Sequence, residues 1–139
     1  MKKIPLLFLL VLVSFWSQAQ TSVQVNTATI GTGCSVTLQF HAYTSTCRDL
    51  NIQSIPVVVG KGFYTFSTTS SIWPTPPPPG AQIKWVTVTD QCSNIHGIGE
   101  ICANFPATIT LSCGTCFTST NNCNWSYTGG STATLTITP

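Results

Sequence analysis

Charged side chains are scarce in this sequence. Only 6% of the 139 residues are charged, with five Lys or Arg and three Asp or Glu. So few charges cannot form the basic surface that nucleic-acid binding requires, and we expect no nucleic-acid partner. Intrinsic disorder is disfavoured as well, because disordered segments combine low hydrophobicity with high net charge, whereas 42% of these residues are hydrophobic. The length is enough for one domain.

Motifs for catalysis and metal binding are also lacking. The sequence contains no GxSxG, no HExxH, no glycine-rich phosphate loop and no acidic calcium loop. Carboxylates occur in the chain at Asp49, Asp90 and Glu100 alone, far apart in sequence, whereas a glycosidase needs two of them across one bond. We therefore expect a protein that is not an enzyme, without cofactor or metal. A hydrolase, the less favoured hypothesis, would depend on Asp90, Glu100 or His96.

The first 19 residues have the pattern of a signal peptide. Lys2 and Lys3 precede the apolar run Ile4–Trp16, and Ser17 and Ala19 supply small residues at the cleavage site. The run is shorter than the roughly 20 residues of a membrane-spanning helix. We predict a signal peptide over 1–19 and one secreted domain over 20–139, extracellular or on the cell surface, without a membrane span. Without the two lysines, the net charge of +2 becomes zero.

Apolar and polar side chains alternate along much of the remaining chain, which is typical of half-buried strands. The clearest examples are Cys34–Tyr43, Ala107–Cys113 and Thr132–Thr138. Weaker candidates are Val23–Ile30, Leu50–Val59, Phe63–Ser67, Gln82–Thr89 and Asn124–Thr128. About eight short strands predict an all-β fold, an antiparallel β-sandwich of Ig-like or jelly-roll-like type.

Two segments and two turns interrupt this pattern. Trp73–Gly80 contains five prolines and predicts a stiff extended loop, because proline fixes φ and donates no hydrogen bond. Gln91–Asn104 has a Gly-Ile-Gly sequence between two cysteines and predicts a loop held by disulfides. Turns are expected at 60–62 and at 128–131.

Seven cysteines remain after the predicted signal peptide, and secretion favours disulfides. All are disulfide candidates: Cys34, Cys47, Cys92, Cys102, Cys113, Cys116 and Cys123. We expect local pairs, namely Cys34 with Cys47, Cys92 with Cys102, and two of the last three with each other. The odd cysteine is either a buried free thiol or a bridge between molecules.

The spacing Cys113-Gly114-Thr115-Cys116 leaves two other interpretations open. A thioredoxin-like redox site needs a helix after the first cysteine, and the sequence predicts none there. A zinc site with Cys92 and Cys102 would have only one pair of ligands at CxxC spacing. Both interpretations are less favoured than disulfides.

Aromatic residues provide the candidates for ligand binding. Trp73, Tyr43 and Tyr64 are the tentative binding residues, because exposed rings on a β-sandwich can stack on sugars. Trp73 could instead pack the proline-rich loop against a sheet, and Trp85 and Trp125 are expected to be packing residues. Thr-x-Thr pairs such as Thr134–Thr136 are similar to the threonine ladders of ice-binding proteins, but no fixed repeat is present, which favours an ordinary polar sheet face.

Four features together resemble small secreted, Thr- and Cys-rich β-sandwich proteins of Bacteroidota-type bacteria. They are the signal ending Ser17-Gln18-Ala19-Gln20, the Cys34 strand, the proline-rich loop Trp73–Gly80 and the Cys113–Cys116 motif. The resemblance implies the fold and export, and it implies no known activity.

The expected function is that of a secreted or cell-surface structural and adhesive protein. Its partner would be a second copy of itself, in an oligomer or fibre, or an extracellular polysaccharide or cell surface. The absence of net charge favours self-association, because repulsion between copies is weak. A carbohydrate-binding module is the alternative, and a small secreted hydrolase is the third hypothesis.

Overall fold

The computed structural model describes residues 22–114, 116–127 and 132–138, without the side chains of 118–120. The predicted signal peptide and the predicted turn at 128–131 lie outside the described residues. Within them the chain forms ten strands and one short 3-10 helix at Ile101–Ala103. The strands are β1 Ser22–Asn26, β2 Val36–Tyr43, β3 Asp49–Gln53, β4 Val57–Val59, β5 Phe63–Ser67, β6 Gln82–Thr89, β7 Ile95–Gly99, β8 Thr108–Cys113, β9 Phe117–Tyr127 and β10 Thr132–Thr138.

Two sheets make up the fold. Sheet A has the strand order β5-β1-β10-β9-β8, and sheet B has the order β3-β2-β6-β7 with β4 also paired to β2. The pairings are antiparallel except between β1 and β10, which are parallel. The predicted antiparallel β-sandwich is therefore confirmed, with one parallel pair inside sheet A.

The core lies between the sheets and follows from the alternation of side chains. Leu38 and Phe40 of β2 pack with Val86 and Val88 of β6, and all four are fully buried. Because successive strand residues point to opposite faces, the polar residue between the two members of each pair lies on the outer face of sheet B. Trp125 of β9 joins the core as predicted.

The predicted strand over Leu50–Val59 is in fact two strands, β3 and β4. Pro56 lies between them and has no N–H with which to continue a ladder. Ser54 is buried there and connects the break to β2: its backbone N–H donates to the Phe40 carbonyl at 2.9 Å, and its Oγ accepts from the Phe40 N–H at 2.9 Å.

The segment predicted as a loop over Gln91–Asn104 contains strand β7, so that prediction is wrong in part. β7 pairs with β6, with Gly97 opposite Thr87 and Gly99 opposite Trp85. Glycine has no side chain with which to show alternation, and two of the five residues of β7 are glycines. The pattern that identifies the other strands is therefore absent from the sequence here.

The predicted cysteine pairs are wrong, although the prediction of disulfides is confirmed. The bridges are Cys34–Cys116, Cys47–Cys102 and Cys92–Cys113, which span 82, 55 and 21 residues of sequence. Folding brings distant loops together at the ends of the sandwich. Each of these cysteines therefore pairs with a cysteine from a distant segment, and not with the nearby cysteine that the sequence analysis expects. The two cysteines of the CxxC motif have different partners, so they form neither a redox dithiol nor half of a zinc site.

Cys123 is the free cysteine, and it is completely buried in the core. Burial raises the pKa of its thiol to about 12, because a thiolate is poorly solvated in apolar surroundings. The prediction of a buried thiol is confirmed. A bridge between molecules through this sulfur is incompatible with its position between the sheets.

Three disulfides are typical of proteins in an oxidising, extracellular environment. None of the described residues belongs to a helix of the length and apolarity needed to span a bilayer.

Candidate functional site

Trp73 is not the exposed ring that a binding role requires. Its side chain is only 6% exposed, and its indole N–H donates to the Ser67 carbonyl at 2.8 Å. The adjacent Ile72 carbonyl accepts a hydrogen bond from the Ile55 backbone at 2.8 Å, which holds the start of the proline-rich loop against the sandwich. Trp73 therefore packs the loop onto the core, and its tentative assignment as a stacking residue is corrected.

The two tyrosines of the predicted binding set lie on different sheets. Tyr43, in β2 of sheet B, is buried, and its hydroxyl donates to Asp49 at 3.4 Å. Tyr64, in β5 of sheet A, is half-buried and stacks near Phe66 with ring centroids 6.4 Å apart. The structure does not assemble these residues and Trp73 into one site. Tyr64 lines a surface cavity that is described below.

Trp85 is a packing residue, but it packs on the outer face of sheet B and not in the core between the sheets. It lies between two other rings, with its centroid 3.6 Å from that of His41 and 3.9 Å from that of Phe105. The planes are nearly parallel, at 9° and 14°. Both faces of the Trp85 indole are thus covered by protein, which leaves no free face for a sugar.

His41 lies at one end of this stack. Its Nε2 is 3.0 Å from Thr87 Oγ1, and the residue is buried. Burial lowers the pKa of His41 from 6.5 to about 4, although nearby Asp49 acts in the opposite direction. The imidazole is consequently neutral at pH 7 and serves as a packing group.

The side chains that a hydrolase would use are separated. Asp90 is buried and stabilises the β6–β7 turn, where its Oδ1 accepts from the backbone N–H groups of Cys92 and Asn94 at 2.9 and 3.0 Å. Glu100 lies at the opposite end of β7 and pairs with buried Lys84 at 2.9 Å. The five residues of β7, His96 included, lie between these carboxylates and put them about 20 Å apart. They do not face one bond.

Two groups of potential metal ligands occur near the bridges. Cys47, Glu100 and Cys102 form one, and Asp90, Cys92 and Cys113 form the other, each within 4.8 Å. All four cysteines are in disulfides, and a metal-binding cysteine must be a thiolate. Neither group therefore has the ligand chemistry of a metal site.

The outer face of sheet A has a different character, and we call it the polar face. Its side chains are hydroxyls and amides drawn from all five strands, together with the aromatic ring of Phe63 at the edge. The hydroxyls and amides belong to Ser22, Gln24, Asn26, Thr65, Thr108, Thr110, Ser112, Asn122, Asn124, Ser126, Thr132, Thr134, Thr136 and Thr138. Because the strands are in register, one row across the sheet runs Thr65, Gln24, Thr134, Ser126.

Charge is absent from the polar face. Of the six charged residues in the described ranges, three are exposed, namely Arg48, Asp49 and Lys61. Arg48 and Asp49 lie at the start of β3 in sheet B, and Lys61 lies in the turn before β5. The strands of the polar face therefore offer an uncharged hydrogen-bonding surface.

The threonines of β10 do not form a regular lattice. Thr134 lies between Gln24 and Ser126, and Thr136 lies between Asn26 and Asn124. A threonine ladder of the ice-binding type needs threonines on successive rungs, and the mixed neighbours here support an ordinary polar sheet face, as expected.

A shallow cavity of about 320 Å³ opens on the polar face across β5, β1 and β10. Its lining residues are Gln24, Val25, Asn26, Phe63, Tyr64, Thr65 and Thr134. Phe63 stands at this cavity with 75% of its surface exposed, although it is a large apolar residue.

Neither Phe63 nor Gln24 is among the binding residues predicted from the sequence. The signal was present, because Val23 and Val25 alternate with Gln24, and the alternation in β5 puts Phe63 and Thr65 on one side. What the sequence does not reveal is that β5 and β1 are neighbours.

Comparison with protein-family models, with curated proteins and with solved structures finds no match to this chain in any of the three.

Proposed function

We propose that this protein is an extracellular adhesive protein that binds a neutral polysaccharide through the polar face. The observation that carries the proposal is a sheet face that is built, apart from Phe63, from hydroxyl and amide side chains and has no charged residue. Hydroxyls and amides both donate and accept hydrogen bonds, as the hydroxyls of a sugar do. Such a surface matches a polymer that is rich in hydroxyls and carries no charge.

Charge and polarity disfavour other partners. An anionic polymer would lose hydration on this face without gaining an ionic partner, which is unfavourable. A membrane would need a large apolar patch or a basic one, and Phe63 is a single apolar residue among polar neighbours. The disulfides support a rigid surface, which reduces the entropy lost on binding.

Retention on insoluble polysaccharides tests the proposal. The oxidised protein is mixed with cellulose, chitin, starch and xylan, and with cross-linked alginate as the acidic comparison. We expect retention on at least one neutral polymer that persists in high salt, because no ion pair contributes to binding. Release by salt, or retention on alginate alone, would contradict the proposed chemistry.

A matched pair of variants locates the surface. Thr136→Lys places a charge on the polar face, and Thr37→Lys places the same charge on the outer face of β2 in sheet B; both parent side chains are half-buried. We expect at least about tenfold weaker binding for the first variant, equivalent to one desolvated charge, and unchanged binding for the second. Equal behaviour of the two variants would remove the polar face from the binding site.

Self-association is a second candidate, favoured by apolar residues on edge strands. Val58 of β4 is 67% exposed and Phe63 of β5 is 75% exposed, and exposed apolar edge strands promote pairing between molecules. Sedimentation velocity over a concentration series tests this candidate. A constant monomer mass would rule it out, whereas growth that Val58→Lys abolishes would support it.

A further inference from the structure

We infer that the cavity on the polar face is a subsite for one uncharged pyranose ring, with Phe63 beneath the apolar side of that ring. This inference rests on the proposed function and names the sugar class and the residues that recognise it. It follows from the exposure of Phe63, the free polar groups around it, the cavity volume and the lack of charge.

The exposure of Phe63 is the first observation. The ring is 75% exposed at the start of an edge strand, where its neighbour in register is Asn26 of β1. An aromatic ring left in water does not contribute the free energy of burying its apolar surface, so the fold itself gains little from phenylalanine here. An aromatic face does provide the flat apolar contact that the C–H side of a pyranose ring requires.

The polar groups beside Phe63 are the second observation. Gln24 stands between Thr65 and Thr134 in register, and neighbouring strands are about 4.8 Å apart. Within the described part of the chain, the side chains of these three residues have no hydrogen-bond partner. The Asn26 Oδ1 accepts from the Ala28 backbone at 3.1 Å, which orients that amide and leaves its NH₂ group for a ligand.

The size of the cavity is the third observation. Its volume of about 320 Å³ lies at the lower end of the range for small-molecule sites, roughly 300–1,000 Å³, which suits one ring rather than an enclosed oligosaccharide. The polar face continues from the cavity through Thr136 and Asn124 to Thr108. The distance along this row from Phe63 to Thr108 is four strand spacings, about 19 Å. The rest of an extended polysaccharide chain can therefore lie along the row.

The absence of charge selects the sugar class. No lining residue of the cavity is charged, and Lys61 lies outside it, in the turn before β5. A uronic acid or a sulfated sugar would therefore bury an anion without a cationic partner, which is costly. The site is suited to neutral hexoses and pentoses.

Calorimetry with defined oligosaccharides tests the subsite. The probes are cellohexaose, mannohexaose, xylohexaose and chitohexaose, with a hexamer of galacturonic acid as the acidic comparison. We expect Phe63→Ala to weaken binding of the preferred neutral oligosaccharide about tenfold or more, and Phe63→Trp to retain it, because the aromatic face is kept. Gln24→Ala should weaken it severalfold.

Val58→Ala is the matched control, because Val58 is an apolar residue of similar exposure on the edge of sheet B. It should leave the affinity unchanged, and thermal unfolding should be unchanged in all these exposed variants. The inference is overturned if Phe63→Ala binds like the parent, or if the acidic hexamer binds as tightly as the neutral ones.

The two proposals fail in different ways. If Thr136→Lys abolishes binding while Phe63→Ala does not, the subsite is wrong and the polar face remains the binding surface. If the parent binds none of the neutral polysaccharides or oligosaccharides, the proposed function itself is wrong.

Discussion

His41 occupies a position where a charged imidazolium would be destabilised. It is buried, stacked 3.6 Å from Trp85, and 3.0 Å from Thr87 Oγ1. The sequence places it on the polar side of β2 and suggests a solvated residue, because alternation predicts a direction and not the neighbours. The depressed pKa of about 4 results from the rings that cover it.

We predict that stability falls as the pH drops from 7 to 4.5 because of His41. In the unfolded chain this histidine has a pKa near 6.5, so it binds a proton there before it does so in the folded protein, where the pKa is about 4. The expected loss is about 2 kcal/mol. Urea unfolding at the two pH values measures it.

His41→Gln provides the control, since glutamine keeps a polar side chain and does not titrate. The variant should show a smaller decrease in unfolding free energy over the same pH range. An identical decrease in the variant and the parent would show that other groups cause it.

Strand β7 shows that an element can depend on side chains from its neighbours. Gly97 lies under the ring of Phe105, and Gly99 lies against the Trp85 backbone and the Lys84 carbonyl. A side chain at residue 97 would occupy space that the Phe105 ring fills, and one at residue 99 would meet the backbone of β6. The sequence shows the two glycines, but the reason for them appears only when β6 and Phe105 are in place.

We predict that Gly99→Ala is more destabilising than Gly97→Ala. At residue 99 the added Cβ would lie 2.5 Å from the Lys84 oxygen, a backbone atom of the paired strand that cannot move without breaking the ladder. We expect a loss of about 3 kcal/mol, as for severe overpacking. At residue 97 the added Cβ would lie 2.5 Å from Phe105 Cε1, which is a side-chain atom that can move. The loss of unfolding free energy should therefore be about 1 kcal/mol.

Chemical denaturation of both variants measures these losses, with Gly60→Ala as the control. The nearest atom to a Cβ at residue 60 is the Cys34 backbone oxygen at 3.8 Å, which is an ordinary contact. The unfolding free energy of Gly60→Ala should therefore differ from that of the parent by less than about 0.5 kcal/mol. Near-UV circular dichroism should change in Gly97→Ala, because the stack of Phe105 on Trp85 is displaced. Equal stability of the two β7 variants would contradict the argument.

At the scale of the molecule, two of the three disulfides tie the two sheets together. Cys34 precedes β2 and Cys92 follows β6, and both strands are in sheet B. Their partners belong to sheet A, where Cys113 ends β8 and Cys116 lies in the turn before β9. These two bridges are at one end of the sandwich. Cys47–Cys102 joins the β2–β3 turn to the 3-10 helix at the other end.

We predict that the loss of Cys34–Cys116 costs more stability than the loss of Cys92–Cys113. The first bridge closes 82 residues and the second closes 21. On the chain-entropy account, removal of each bridge taken alone costs about 4.5 and about 3.3 kcal/mol. Because Cys47–Cys102 shortens the path between Cys34 and Cys116, both paired-alanine variants are compared in a background that lacks that bridge. Urea unfolding measures the difference, and the reverse order would contradict the entropic explanation.

Cys123→Ala is the reference for these variants, because it removes a cysteine and leaves the three bridges in place. Its expected loss is about 1 kcal/mol, from a small cavity in the core. A larger loss than that of either bridge would mean that core packing, rather than cross-linking, dominates the comparison.

Part of the fold and of the candidate site was predictable from the sequence. Alternation identified β2, β8 and β10 most clearly, because the period of two is a local property of each strand. The disulfide partners were not predictable, because the entropy of closing a loop grows only with the logarithm of its length. A disulfide that closes 82 residues is therefore only slightly less favourable than one that closes a short loop.

The sequence by itself determined that this protein is built from strands, that Leu135 and Ile137 point inward while Thr134 and Thr136 point outward, and that few charges reach the surface. Only the tertiary structure decided that Trp73 is covered, that Cys123 is the unpaired cysteine, and that Phe63 stands beside an uncharged face of five strands. The physical reason is the range of the interactions. The direction of a side chain follows from its own strand, whereas its neighbours depend on the order in which distant strands pair.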